Sequence, residues 1–557
     1  MPARLKYRII EILRYCIPAI IFLVALSATV HWQQRLDTEG CGRCDDVCAS
    51  FALAQHHAHG QGFTVAPGEP ALLLEDCAWR LALAYLTRLT HSPAGAAYIL
   101  GALCGLGTLL LGMTLAVRFG YHPMTRWFFG FALLFAPGWL PSLVEGHSTP
   151  LAALLVMWAV SDHVARMDRH ELPLSLLLAS VVALTGYVRL ELIWLWAIFA
   201  IHYLLVAWRN HEPLGERGYI VIRALAGALL IFLALLPLAA WHWPLLGWPP
   251  LRIPGAPLST ENEPMWQLIM IAIPKAYARW VHSPYWHTWA LMVLAIAGAI
   301  GLALRAWKQR EARSAFIVPL ALLLMPLFYA LTYPLTGWPA SDVVFAAFDP
   351  LGALACAIAA SRVPDWIARG LRRRYFLHAH WVAALRIASC LLLAIAALLE
   401  SMYWNAEWSR ETHARIRTRN LLKNFLAPAT YGARAPMVLT DQPGWALWET
   451  TSVVVDISGR LTPDFIAHRN GHDALAVDKL RNRLAGLSYA VVWEGRATAL
   501  VNDLQFEKMP APAKSEGGYP APQLYRFRRL PPTVPAPLAP PALPLPKTPL
   551  PPPPAAP

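Results

Sequence analysis

Charged residues are scarce in this 557-residue chain, and their scarcity decides its class. They make up 15% of the sequence, while 57% of the residues are hydrophobic and the mean hydropathy is +0.41. A soluble globular protein carries about 25% charged residues. We therefore predict a membrane protein and exclude a soluble enzyme.

Acidic residues are fewer than basic ones, 34 against 47, and the formal net charge is +13. Such an excess is also typical of nucleic-acid-binding proteins. Here the basic residues lie in short loops between apolar runs, which is the positive-inside pattern of membrane proteins. We therefore predict no nucleic-acid partner. The sequence also lacks a convincing serine triad, a phosphate-binding glycine loop and a cleavage site after its first apolar run, which favours a retained first helix.

Apolar runs of membrane-spanning length predict about eleven spans. They lie near residues 13–32, 94–116, 127–144, 149–164, 172–188, 190–208, 220–241, 285–306, 315–333, 343–361 and 381–402. The loops between them are alternately arginine-rich and acidic. The positive-inside rule then predicts that the N-terminus is cytoplasmic and that the C-terminal region lies outside.

The chain divides into three parts. Residues 1–402 form the transmembrane domain, with two long outer loops at 33–93 and 242–284. Each loop contains an interfacial helical stretch, over 71–89 and 265–280. Residues 403–530 mix strand-like runs with a helical run over 473–484, as a small α/β domain does. The strand-like runs are Met437–Thr440, Ser452–Ile457 and Tyr489–Trp493. Residues 531–557 form a Pro-rich disordered tail. The predicted fold class is mainly α, a polytopic helix bundle with interfacial helices and a small periplasmic α/β domain.

Two adjacent acids, Asp45 and Asp46, stand at the start of a helix-prone segment of the first outer loop. A carboxylate near a helix N-terminus is stabilised as the anion, and an anion can act as a general base. A sugar transfer that inverts configuration needs such a base, which takes the proton of the acceptor hydroxyl. The alternative interpretation is a helix cap with a solvated loop charge.

The segment from Asp45 to Pro70 follows the frame D-D…G-x-G-F…P-G-E-P without a gap. This frame resembles the first outer loop of bacterial membrane glycosyltransferases of the GT-C type. Further segments resemble other elements of that family, namely Ser142–Leu151, Arg189–Glu191, Asp441–Trp445 and Val455–Leu461. The resemblance implies a protein of the bacterial inner membrane, with its C-terminus in the periplasm, that transfers a sugar from a polyprenyl-phosphate donor to a periplasmic lipid, glycan or protein acceptor. It implies Asp45, and in second place Asp46, as the base. No cofactor is predicted firmly, and a need for a divalent metal stays open.

A departing lipid phosphate gains from nearby cations. Candidates near the outer face are His147, Arg189, Arg252, Lys275 and Arg279. Headgroup anchoring is the alternative for each of them. Glu145 and Glu191 are candidates for a second acidic site, although Glu191 and Arg189 could equally form a structural ion pair. Asp349, in the tenth predicted span, is a further candidate for a functional acid. The alternative is a structural role at a helix kink caused by Pro350.

Four cysteines are predicted outside: Cys41, Cys44, Cys48 and Cys77. In an oxidising compartment they suggest up to two disulfides, with three pairings open. The alternative is zinc, held by cysteines with the His56, His57 and His59 cluster. The spacing fits no standard zinc finger, so we favour disulfides and predict no metal site.

Several residues of the frame are replaced in this chain. The arginine and tyrosine of the frame are Ala52 and Leu53, and its two asparagines are His56 and Ala66. These replacements motivate a second hypothesis, a catalytically lapsed GT-C-like scaffold that meets an envelope protein through its terminal domain or tail. A transporter is a third, and the long outer loops and the lack of an inverted repeat argue against it.

Overall fold

The computed structural model is a bundle of long helices with a small sheet domain packed on one end. It describes residues 3–36, 45–66, 69–71, 76–120, 122–134, 136, 139–169, 174–246, 286–336, 346–372, 379–430, 437–440, 444, 447, 453–456, 487–492, 506–508 and 523–527.

The first half of the bundle contains α1 (Ala3–Leu36), α2 (Asp45–Ala58), α3 (Cys77–Thr90), α4 (Pro93–Phe119), α5 (Thr125–Leu134), α6 (Trp139–Glu145), α7 (Thr149–Asp168) and α8 (Leu176–Val188). The second half contains α9 (Trp194–Arg209), α10 (Leu214–Leu246), α11 (Trp286–Lys308), α12 (Ile317–Thr336), α13 (Asp349–Arg372) and α14 (Ala379–Thr430). Short 3₁₀ turns, Leu190–Ile193 and Arg310–Phe316, precede α9 and α12.

Local sequence explains where several helices begin and how closely they pack. Ser92 caps α4, since its Oγ accepts a hydrogen bond from the Gly95 amide at 3.2 Å, and Pro93 follows at the first helical position. A side chain at Gly298 of α11 would overlap the Ala355 carbonyl of α13, so glycine allows these two helices to approach closely.

Of the described helices, seven are long and apolar enough to cross a membrane. The pair α5 and α6, bent by 58°, is an eighth candidate, and Leu176–Val188 and Ala312–Phe328 are shorter apolar helices. Every predicted span lies at least partly on a described helix. The polytopic helical membrane fold is thus confirmed, whereas the number of about eleven spans stays a prediction.

Arginines join helix ends at one end of the bundle. Arg305 Nη1 donates to the Phe119 carbonyl at 2.6 Å, and Arg209 Nη1 donates to the Ala306 carbonyl at 3.0 Å. Both carbonyls lie at or near helix C-termini, where the helix dipole favours a cation. The arginines of the positive-inside pattern therefore also satisfy the backbone of neighbouring helices.

Two short antiparallel strands, β1 (Thr64–Ala66) and β2 (Glu69–Pro70), follow α2. The terminal domain contains a mixed sheet of β3 (Met437–Thr440), β4 (Val453–Asp456), β5 (Leu487–Val492), β6 (Phe506–Lys508) and β7 (Gln523–Phe527). The strand order is β4-β3-β5-β7-β6, with β3 parallel to β4 and β5, and β7 antiparallel to β5 and β6. Val454 and Leu447 share an apolar cluster with Leu53 of α2, Cys77 of α3 and Leu238 of α10. The sheet domain therefore packs on the first long loop, opposite the arginine-rich end.

The last span continues beyond its predicted end. Hydropathy predicts it over 381–402, but α14 is one helix to Thr430. Hydropathy marks where the apolar stretch stops, whereas a helix can continue into water. The predicted domain boundary after residue 402 therefore falls inside a helix. The predicted helices over 265–280 and 473–484, and the tail 531–557, lie outside the described residues.

Candidate active site

The predicted acid pair lies at the first turn of α2, at the end of the bundle that carries the sheet domain. Asp45 is the first residue of this helix, and Asp46 is exposed. The predicted helix N-terminus is confirmed, and the helix dipole there favours a carboxylate anion. The Asp45 side chain lies outside the described part of the structure, so its role as a base stays a prediction.

The histidines at the end of α2 fold the loop back on itself. His56 Nδ1 lies 2.7 Å from the Thr64 carbonyl oxygen. His57 stacks on Phe63 with ring centroids 4.5 Å apart, and burial and the nearby Arg88 guanidinium lower the pKa of His57. A neutral imidazole suits this stacked position better than a charged one.

The cysteines of this region do not form the predicted pair of disulfides. Cys77 is a free thiol that packs against Ala49 and Leu238, and burial raises its pKa. Cys48 also carries a thiol rather than a disulfide, so of the up to two disulfides predicted, any that uses Cys48 or Cys77 is wrong. A Cys41–Cys44 bond stays a prediction. Cys41 and Cys44, which the zinc interpretation also needs, lie outside the described residues.

Metal binding finds no support in the part of the chain that the structure describes. No group of three or more His, Cys, Asp or Glu side chains there could hold a metal ion. Cys48 is buried within α2.

A buried acid that the sequence analysis did not select lies just before α3. Asp76 is 8% exposed, and its backbone has the left-handed φ of +60°. Ser148 donates a hydrogen bond to Asp76 Oδ1, and Arg189 Nε lies 3.2 Å from the same oxygen. The Asp76 amide donates to the Val188 carbonyl at 3.1 Å. Arg189, a predicted phosphate-binding cation, is therefore ion-paired with Asp76.

A second buried cation links α3 to α2. Arg80 is 6% exposed, and its Nε donates to Ser50 Oγ at 3.2 Å. Ser50 in turn donates to the Asp46 carbonyl at 2.9 Å. A guanidinium thus lies beside the first turns of α2, on which the arginine of the frame is replaced by Ala52. One signal in the sequence points to this site, namely the charged residues Asp76 and Arg80 within a largely apolar run.

Glu145, at the end of α6, is surrounded by donors. Trp408 Nε1 donates to Glu145 Oε1 at 2.6 Å, and Arg415 Nη1 donates to the same oxygen at 3.0 Å. His147 Nε2 lies 3.3 Å from Oε2. His147, another predicted phosphate-binding residue, is therefore engaged with Glu145, and both Trp408 and Arg415 come from α14.

The four residues Glu145–Ser148 form a tight turn, which we call the 145–148 loop. Gly146 has a φ of +98°, which a side chain rarely adopts. Its carbonyl accepts a hydrogen bond from Trp79 Nε1 of α3 at 2.8 Å. The loop thus joins Glu145 at one end to Asp76 at the other through Ser148.

The remaining predicted site residues lie elsewhere. Glu191 is 5% exposed in the turn between α8 and α9. Asp349 is 4% exposed at the start of α13 and lines an apolar cavity of about 530 Å³ between α11, α12 and α13. Arg252, Lys275 and Arg279 lie outside the described residues.

An apolar cavity begins at Leu190, the residue that follows Arg189 in the sequence. It has a volume of about 290 Å³ and lies between α9 and α10. Apolar side chains from residues 190–197 and 228–239 line it. Two of its lining residues, Phe232 and Leu236, are 61% and 41% exposed on the outside of the bundle. In a membrane this side of the cavity would meet lipid.

Comparison of the sequence with family models and with curated proteins found no match. Solved structures do match. The crystal structure of ArnT from Cupriavidus metallidurans bound to undecaprenyl phosphate is similar with a TM-score of 0.56 and 13% identity, over 93% of this chain and 98% of that chain. The same protein in the apo state gives a TM-score of 0.55 and 15% identity, over 91% of this chain and 97% of that chain. This chain therefore has the fold of the GT-C membrane glycosyltransferases.

Proposed function

We propose that this chain is an inverting glycosyltransferase that moves a sugar from a polyprenyl-phosphate donor to an acceptor outside the plasma membrane. A carboxylate at the start of α2, Asp45 before Asp46, takes the proton of the acceptor hydroxyl as its oxygen attacks the anomeric carbon. The bond from that carbon to the phosphate oxygen breaks on the opposite face, and polyprenyl phosphate departs as the anion.

The observation that carries this proposal is the apolar cavity that begins at Leu190, the residue after Arg189. A polyprenyl phosphate combines a long apolar chain with an anionic head. An apolar cavity that borders lipid suits the chain, and in this proposal the Arg189 guanidinium, adjacent in sequence to the lining of the cavity, binds the phosphate. The structural likeness to ArnT, which was crystallised with undecaprenyl phosphate, supports the same class of donor.

The proposal includes an orientation. The acid-bearing end with the sheet domain lies in the periplasm, and the arginine-rich end lies in the cytoplasm. The N-terminus is then cytoplasmic and the C-terminus periplasmic. The acceptor is a lipid, glycan or protein of the cell envelope, and its identity stays open.

The assignment of the base is tested by replacing each acid of the pair alone. Asp45→Asn keeps the shape of the side chain but removes the base, so we expect transfer by purified protein to fall about 100- to 10,000-fold. Asp46→Asn is the matched control, with an expected change below tenfold. Normal yield and membrane insertion of both variants exclude misfolding. Equal activity of Asp45→Asn and the wild type would refute the assignment.

A further inference from the structure

The Glu145 carboxylate is fully engaged by donors from two parts of the chain. Trp408 and Arg415 of α14 both contact Oε1, and His147 lies beside Oε2. A buried carboxylate that accepts charged and neutral hydrogen bonds holds its anion strongly. Such a group is a poor proton donor or acceptor in catalysis. Its contacts instead fix the end of α6 to α14.

Glu145 lies three residues before Ser148, and Ser148 contacts the Asp76–Arg189 ion pair. Ser148, at the far end of the 145–148 loop, donates to the same Asp76 oxygen that Arg189 faces. Between them the loop has little freedom, because Gly146 adopts a left-handed turn and its carbonyl is held by Trp79. A shift of Glu145 would therefore move Ser148 and, with it, Asp76.

Two of the residues that contact Glu145 belong to α14, the helix that precedes the sheet domain in the chain. Trp408 and Arg415 lie on α14, which runs unbroken to Thr430. These contacts connect α14, through the 145–148 loop and Asp76, to the guanidinium of Arg189, the residue before Leu190 in the lining of the apolar cavity. Every contact in this series joins residues far apart in the sequence.

We infer that Glu145 is a positioning residue, which acts through the 145–148 loop to hold the Asp76–Arg189 pair in place for the phosphate of a polyprenyl phosphate. This inference rests on the proposed function. It replaces the expectation that Glu145 is a second catalytic acid. Arg189 contacts the ligand, and Glu145 does not.

The test measures binding of undecaprenyl phosphate to the purified full-length chain in detergent micelles. Glu145→Gln keeps the volume of the side chain but removes the charge that pairs with Arg415, and we expect the affinity to fall about tenfold. Arg415→Gln should lose a similar factor, and Arg415→Lys should recover part of it. The control is Asp162→Asn, which removes a carboxylate paired with Arg166 at 2.7 Å at the arginine-rich end. It should leave the affinity unchanged.

A double variant separates positioning from general damage. If Glu145 acts only through Arg189, then Glu145→Gln added to Arg189→Gln should weaken binding no further than Arg189→Gln alone. A general structural defect would instead add its own factor, and that result would overturn the inference. Should Glu145→Gln fail to fold, Arg415→Gln in the same cycle decides the question.

The two proposals fail in different ways. A wild-type chain that does not bind undecaprenyl phosphate refutes the proposed donor class and this inference together. A wild-type chain that binds it, with Glu145→Gln binding equally well, overturns the inference alone.

Discussion

At the scale of single residues, the sequence was informative wherever chemistry depends on neighbours along the chain. The acid pair and the helix start at Asp45 could be predicted because both depend on one short segment. Asp76 could not, because its partners Ser148 and Arg189 reach it only through the tertiary fold. The same holds for Glu145, whose role follows from residues on α14.

One residue-scale prediction concerns the turn at Gly146. Its φ of +98° costs an L-residue about 1–2 kcal/mol, so Gly146→Ala should lower the free energy of unfolding by about that amount. Denaturant titration in mixed micelles measures it. Gly130→Ala in α5 is the control, since its new methyl group would meet only ordinary contacts. Equal stability of both variants would show that the turn is not constrained as described.

At the scale of elements, apolar periodicity located the helices but not all of their ends. The strand prediction for Met437–Thr440 is confirmed residue for residue, and α3 lies within the helical stretch predicted over 71–89 except for its last residue, Thr90. α14 was predicted too short because its outer half is polar. That half makes individual polar contacts with other helices, such as Trp408 and Arg415 with Glu145. A hydropathy profile cannot detect such contacts.

The contact of α14 with the 145–148 loop predicts an effect on stability. Trp408→Phe keeps an aromatic side chain but removes the indole N–H that donates to Glu145, and a hydrogen bond to a charged group contributes about 1.5–3 kcal/mol. The smaller phenyl ring also leaves buried space unfilled, so we expect the free energy of unfolding to fall by at least this amount. Trp366→Phe on α13, where the side chain is 55% exposed, should change it by less than about 0.5 kcal/mol. Indistinguishable unfolding curves for the two variants would argue against the contact.

At the scale of the whole molecule, composition alone indicated the membrane class, and the fold agrees. The number of spans is harder to predict, because some helices are apolar along only part of their length. In α7, Asp162, Arg166 and Asp168 lie near one end, so its length and composition do not decide whether it crosses the membrane. The packing of the sheet domain on α2 and α3 could not be read from the sequence. It depends on Leu447 and Val454, which look like ordinary core residues.

The orientation of the molecule is open to a direct test. With the arginine-rich end in the cytoplasm, alkaline phosphatase fused after residue 557 should be active, because this enzyme folds only in the periplasm. A fusion after Arg209, at the arginine-rich end, should be inactive. The reverse pattern would invert the topology and place the acid pair in the cytoplasm.

The central claim, that this chain transfers sugar from a polyprenyl phosphate, is tested most directly by release of the lipid carrier. Purified protein is incubated with a panel of polyprenyl-phosphate sugars and a membrane extract as acceptor, and free polyprenyl phosphate is measured by mass spectrometry. We predict release by the wild-type chain from at least one donor, and release by Asp45→Asn that is about 100- to 10,000-fold slower. The claim is contradicted if no donor is consumed, or if Asp45→Asn and Asp46→Asn release the carrier as fast as the wild type.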